Sequence, residues 1–181
     1  EKGSKFYGHA FPVNSEEEVK NRLEELRKTY YDARHHCFAH RIGLDQPLIR
    51  ANDDGEPNHS AGDPILGQIR SFNLTNVLIV VIRYFGGTKL GVGGLIHAYK
   101  TAAEEALTGL ETVEIFEKIR FSVNYVYEQT PTVERFIQQV ELFDIQRRFE
   151  ETCSLSAEIR IDQKEAVEKR AIDMQLTLQW E

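Results

Sequence analysis

Val80-Val81-Ile82-Arg83-Tyr84-Phe85-Gly86-Gly87-Thr88-Lys89-Leu90-Gly91-Val92-Gly93-Gly94-Leu95 joins two different periodicities through a run of glycines. Val77 to Ile82 is a continuous, mostly β-branched apolar run, the pattern of a strand buried on both faces. Beyond the glycines, Leu95, Ala98, Tyr99, Ala102 and Ala106 recur at helical spacing, which predicts a helix to about Thr108. The small alanines let such a helix lie close against a sheet. A buried strand, a glycine loop and a close-packed helix together predict an α+β domain with helices on one sheet.

The preceding residues supply the rest of that domain. Ser4 to Val13 reads as a strand. Ser15 with Glu18 forms a capping-box pair before an amphipathic helix over 16–29, with Val19, Leu23, Leu26 and Tyr30 on one face. His35 to Ile42 and Leu48 to Asn52 read as a hairpin around Gly43 to Pro47. Asp53-Asp54-Gly55-Glu56-Pro57 has turn chemistry, and Asp63-Pro64 predicts the cap and first residue of a helix to about Phe72.

The second half has a cleaner rhythm. Ile119, Phe121, Val123, Tyr125 and Tyr127 alternate with mostly polar neighbours. A helix opens at Thr130-Pro131, with Val133, Phe136, Ile137, Val140 and Phe143 expected on one face. Strands follow at 145–150 and 153–161, where Cys153, Leu155, Ala157, Ile159 and Ile161 share a face. Asp162 is expected to cap a last helix, and 176–180 to form a short final strand. The order β-α-β-β-α-β is that of a ferredoxin-like domain. The predicted division is therefore residues 1–110 and 111–181.

The 181-residue chain is 41% hydrophobic and 28% charged, ordinary globular composition, with a formal net charge of −7. Residues 1–110 carry 13 Lys+Arg against 14 Asp+Glu, and residues 111–181 carry 9 against 15. An acidic balance argues against indiscriminate binding of nucleic acid and against DNA specificity, but leaves room for a local anion site. Cys37 and Cys153 are too far apart in sequence to suggest a disulfide scaffold, which fits a cytoplasmic protein. No apolar run is long enough for a membrane span or a signal sequence. The chain begins at Glu1 rather than a methionine, so a short N-terminal piece is expected to be missing.

Three segments together resemble the Impact/YigZ family: His35-His36-Cys37-Phe38-Ala39-His40-Arg41; Asp53-Asp54-Gly55-Glu56-Pro57 with Ala61-Gly62-Asp63-Pro64-Ile65; and the stretch from Val80 to Leu95 with Ala98-Tyr99. The resemblance covers residues 3–108. It implies a first domain like the second domain of ribosomal protein S5, and a second like the last domain of elongation factor G. Both relatives work on the ribosome, and eukaryotic family members regulate translation through protein partners. A ferredoxin-like domain placed second implies a bacterial layout. Two positions depart from the family pattern: Asn58-His59-Ser60 stands where Ser-Gly-Thr is usual, and Val92 where Thr is usual.

The candidate chemistry lies in three places. The glycine loop leads into a helix start, which aims backbone amides at an anion; Gly91, Gly93, Gly94, Lys89, Arg83 and nearby Arg41 are its candidate contacts for phosphate or nucleic acid. The bland alternative is that the glycines serve packing and turn geometry. Lys89 is misplaced for a P-loop, and Ile96 replaces the third glycine of a dinucleotide fingerprint. Asp54 and Glu56 are candidates for acid–base or metal chemistry, against a solvated turn or a salt bridge to Arg83. His35, His36, Cys37 and His40 do not converge on a metal, because strand neighbours point to opposite faces and His36 and His40 lie about 13 Å apart. No cofactor and no metal are expected. The expected function is a non-catalytic, translation-associated factor that binds RNA, the ribosome or a translation-related protein. The alternatives are a small phosphate- or nucleotide-binding enzyme using the glycine loop, and a plain protein-interaction module.

Overall fold

The computed structural model describes residues 1–150 and 152–181, which divide into two compact units, Glu1–Thr112 and Val113–Glu181. The first unit runs β1 (Lys5–Pro12), α1 (Glu16–Thr29), β2 (His35–Ile42), β3 (Leu48–Asn52), α2 (Gly62–Ser71), β4 (Val77–Tyr84) and α3 (Gly91–Leu107). Its four strands form one antiparallel sheet in the order β1-β4-β2-β3. The apolar run of β4 lies inside the sheet, between β1 and β2, and is buried from Val77 to Ile82.

Helices cover both faces of this sheet. Leu78, Val80 and Ile82 of β4 pack with Phe38 beneath Val19 and Leu26 of α1. The alternate residues Val77, Ile79 and Val81 pack with Cys37 and Ala39 against α2 and α3. Close approach of α3 requires Gly8 on β1: a Cβ there would sit 2.3 Å from the Ala102 carbonyl oxygen. Ser15 caps α1 through a 3.2 Å bond from the Glu18 amide to its hydroxyl. Glu18 in turn accepts from the Asn14 amide at 2.9 Å.

Three histidines lie on the α1-facing side. His9, His36 and His40 pair across the strands with Val80, Ile82 and Leu78, all residues of that layer. His36 and His40 are buried, and one ring nitrogen of each of the three has no hydrogen-bond partner among the described residues. Burial lowers all three pKa values from 6.5.

The second unit runs β5 (Lys118–Tyr125), α4 (Thr130–Gln139), β6 (Phe143–Phe149), β7 (Cys153–Arg160), α5 (Lys164–Asp173) and β8 (Gln179–Trp180). The strands form an antiparallel sheet in the order β6-β7-β5-β8. Phe121, Val123 and Tyr125 of β5 and Cys153, Leu155, Ala157 and Ile159 of β7 pack with Val133 and Phe136 of α4 and Val167 and Ala171 of α5. Both helices therefore cover the same face, and the other face is open.

Several local expectations are corrected. Val140 and Phe143 do not belong to α4, which ends at Gln139; Phe143 opens β6. Tyr127 and Ile161 leave their strands for short 3-10 turns at 127–129 and 161–163, where both side chains are exposed. Asp162 lies inside the second of these turns and accepts from Arg160, so it does not cap α5. Asp63 and Pro64 are already inside α2, whose cap position is Ala61.

Candidate functional site

The register of β2 against β4 places His35 opposite Arg83 and Cys37 opposite Val81. The turn after β3 then brings Glu56 under the sheet. Arg83 Nη1 donates to Glu56 Oε1 at 2.6 Å, and the Tyr99 hydroxyl of α3 donates to the same oxygen at 2.8 Å. Arg83 and Glu56 are both buried, at 6% and 8% exposure. Arg83 Nη2 reaches the Ser4 hydroxyl at 3.4 Å, and the guanidinium lies 5.6 Å from the centre of the Phe6 ring. His35 Nε2 is 4.0 Å from Glu56 Oε1. One buried ion pair thus ties together β1, β2, β4, α3 and the acidic turn.

The remaining reactive groups here are equally engaged. Cys37 Sγ lies 2.9 Å from the Asp53 carbonyl oxygen and 3.3 Å from the Tyr99 hydroxyl. Burial pushes the Cys37 thiol up to about 12, so it carries no thiolate at neutral pH. Burial likewise holds the Tyr99 phenol protonated, with Cys37 and Glu56 adding to the effect.

Asp53 supplies the cap that α2 lacks locally. Its Oδ1 accepts the amides of Ala61 and Gly62 at 2.9 and 2.8 Å, and its Oδ2 accepts that of His59 at 2.9 Å. Desolvation pushes the Asp53 carboxyl up, but bonds from the Gly62, His59 and Ala61 amides outweigh it and leave the pKa below 3.8. Asp54 accepts the His36 amide at 2.7 Å and Arg27 Nη2 of α1 at 3.3 Å. The acidic turn is therefore a structural junction. Among the described residues no group of three or more His, Cys, Asp or Glu side chains is placed to hold a metal ion.

The glycine loop contrasts with this interior. Residues 85–89 and 91–93 are exposed, Lys89 among them. Gly91 adopts φ +72°, a left-handed conformation that favours glycine. A Cβ at Gly93 would meet nothing within 4 Å, and its φ is not positive, so neither packing nor backbone conformation demands glycine there. The first turn of α3 has no side-chain cap and no acidic residue. Residues 91–93 of that turn are exposed, and Lys89 stands two residues before the helix. Arg83 is not presented beside them, because its charge is consumed by Glu56. Arg41 is not nearby either. It sits opposite Val77 at the far end of β4, about 20 Å along the strand from Arg83. There it donates to the Leu74 carbonyl at 3.4 Å.

Two partners were beyond the reach of sequence patterns: Tyr99, which reads only as an apolar helix-face residue, and Ser4, whose hydroxyl also accepts the Gly86 amide at 3.1 Å. Both follow from which strands and helices become neighbours.

Every motif residue in the junction and the loop lies in one stretch of known proteins. A family model for the Impact N-terminal domain matches residues 2–107. The chain belongs to the Impact family. The Thermus thermophilus Impact family member in the pol 5′ region is 47% identical over 104 residues, 58% of this chain and 55% of that protein. The Impact family member YigZ of Escherichia coli is 33% identical over 142 residues, 77% of this chain and 70% of its own. The chain spans about half the length of the Thermus and Bacillus subtilis relatives, at 55% and 51%. A solved chain described as the crystal structure of a hypothetical protein shares 28% identity at a TM-score of 0.66, covering 98% of this chain and 89% of its own. Among the described residues, no helix of this Impact family chain is long and apolar enough to cross a membrane.

Proposed function

We infer that the protein is a non-catalytic, translation-associated factor that binds RNA, the ribosome or a translation-related protein. One observation carries the non-catalytic part: the residues fit for catalysis are spent inside the fold. Glu56 holds Arg83 and Tyr99, Asp53 caps α2, Asp54 joins β2 to α1, and Cys37 is a buried thiol. The translation part rests on family membership and is an argument by analogy. The strand order β6-β7-β5-β8 supports the ferredoxin-like reading of the second unit, and the order β1-β4-β2-β3 is the frame for the S5-like reading of the first.

The contact proposed for the first unit is the start of α3. Amides around Gly91, Gly93 and Gly94, with Lys89, form a weak site for a phosphate group. Arg83 and Arg41 take no part, for the geometric reasons above. Phosphate titration followed by backbone amide NMR is expected to move signals of residues 87–95 saturably. Gly93→Val, which the local space accommodates, should abolish those shifts by placing a branched side chain over the amides. Unsaturable or dispersed shifts would leave the glycines a purely structural role. In parallel, the protein should co-sediment with ribosomes; a protein absent from the ribosomal fraction would count against the translation-associated reading.

A further inference from the structure

Three imidazoles lie in the layer between α1 and the first sheet, and the junction around Glu56 makes no use of them there. His36 and His40 are 5% and 1% exposed on β2, and His9 stands on the other side of β4. One nitrogen of each ring is buried without a hydrogen-bond partner among the described residues: Nε2 of His9, Nε2 of His36 and Nδ1 of His40. A neutral ring leaves such a nitrogen bare at modest cost. Protonation turns it into a charged donor with no acceptor, and burying that group costs far more.

Among the helices, α1 alone covers this layer. Val19, Leu23 and Leu26 pack into it, and no residue of α2 or α3 does. α1 is also lightly held. Its buried residues are Val19 and Leu26, whereas α2 buries five and α3 six. Among the described residues, the one hydrogen bond donated by an α1 side chain to a residue outside the helix runs from Arg27 to Asp54, at 3.3 Å and at the surface. Lifting this one helix therefore brings water to all three rings. The core beneath α2 and α3 and the Glu56–Arg83 pair need not move.

We propose that protonation of His9, His36 and His40 releases α1 from the sheet as a unit, ahead of global unfolding. The surrounding charges modulate the release. Asp54 and the Leu26 carbonyl favour charged His36, while Arg27 and His35 oppose it. Glu16 and the Leu48 carbonyl favour charged His40, while Arg50 opposes it. His9 has Tyr30 and Phe11 as ring neighbours, at 5.4 and 6.2 Å between centroids, and only burial acts on it. Burial is the leading cause at all three and disfavours the charged form. Arg27 leaves Asp54 as α1 lifts, which frees that carboxylate to face the His36 imidazolium. The opening is independent of what the protein binds.

Native-state hydrogen exchange on the full chain, read by peptide at residues 16–29 and 95–107 in dilute urea, tests the release. Each proton gained on opening makes it easier by up to about tenfold per pH unit. Protection of residues 16–29, corrected for intrinsic rates, should therefore fall at least about tenfold from pH 7 to pH 5. It should stay below that of residues 95–107 throughout and respond weakly to urea, because a local opening exposes little surface. The His36→Leu, His40→Leu double variant should flatten the fall. His9→Phe, which keeps a ring beside Phe11 and Tyr30, should lessen it by itself. Protection of 16–29 that does not change with pH overturns the proposal. So does a protection and urea dependence shared with 95–107, since α1 would then leave only as the whole unit unfolds. The full wild-type fall persisting in both variants overturns it as well, by placing the protons elsewhere.

Discussion

Arg83→Ala is expected to destabilise the first unit by about 3–5 kcal/mol, because it leaves the Glu56 carboxylate at 8% exposure with the Tyr99 hydroxyl as its remaining hydrogen-bond donor and His35 Nε2 4.0 Å away. Glu56→Ala should cost a similar amount. It leaves a guanidinium at 6% exposure, one of whose nitrogens, Nε, already has no partner among the described residues. The pair itself is not expected to be a large source of net stability. Desolvating two charges offsets most of their attraction, so a combined Glu56→Leu, Arg83→Met, Tyr99→Phe variant should recover most of the loss. Equilibrium urea unfolding of the three proteins provides the comparison. Single variants that lose less than about 1 kcal/mol would mean the pair is hydrated and separable. The same experiment bears on function. If Glu56 were an acid–base catalyst, its replacement would abolish an activity; here the predicted phenotype is loss of the fold.

The second large effect is acid lability of the layer beneath α1. His9, His36 and His40 each have a folded pKa below the 6.5 of the free group, with burial as the first cause. The unfolded chain therefore binds more protons than the native one wherever pH lies between the lowered values and 6.5. Stability rises with pH through that window and is lost as pH falls below 6.5. Neighbouring charges moderate the effect: Asp54 favours the charged form of His36 while Arg27 and His35 oppose it, and Glu16 favours that of His40 while Arg50 opposes it. The contribution from Asp53 lies elsewhere. Its folded pKa is lowered from 3.8, so its stabilisation persists above 3.8 and disappears only as pH falls further. Urea midpoints should drop between pH 7 and pH 5 well before the carboxylates titrate. A His36→Leu, His40→Leu double variant should flatten that drop. A wild-type midpoint independent of pH over the interval would sink the account.

How much of this was legible in the sequence depends on the range of the interaction involved. Periodicity is local, so α1 (16–29), β2 (35–42) and β3 (48–52) could be read from side-chain pattern and turn residues, because one face of each element must be apolar. The run at Val77 to Ile82 announced a strand covered on both faces, and α1 on one side with α2 and α3 on the other supply the cover. Where expectation failed, a longer-range contact won. Asp63 has cap chemistry, yet α2 begins earlier, because Asp53 reaches across the turn to take the Ala61 and Gly62 amides. Phe143 fits a helical face, yet the chain leaves α4 at Gln139 so that β6 can pair with β7.

The candidate site divides in the same way. The sequence by itself determined that a glycine-rich loop follows a buried strand and precedes a helix, that an acidic turn follows a hairpin, and that the charge of the second half is negative. These depend only on residue order and composition. Only the tertiary structure decided that Arg83 and Tyr99 meet on Glu56, since their separations of 27 and 43 residues from it along the chain close through sheet register and helix docking. It also decided that Arg41 lies at the opposite end of β4 from Arg83, and that cations and acids of the second unit pair off on its sheet, Arg120 with Glu158 and Asp144 and Arg160 with Asp162. The physical reason is common to all three. Composition counts charges, but strand alternation and pairing register assign each one to a face, and a charge acts through the face on which it stands.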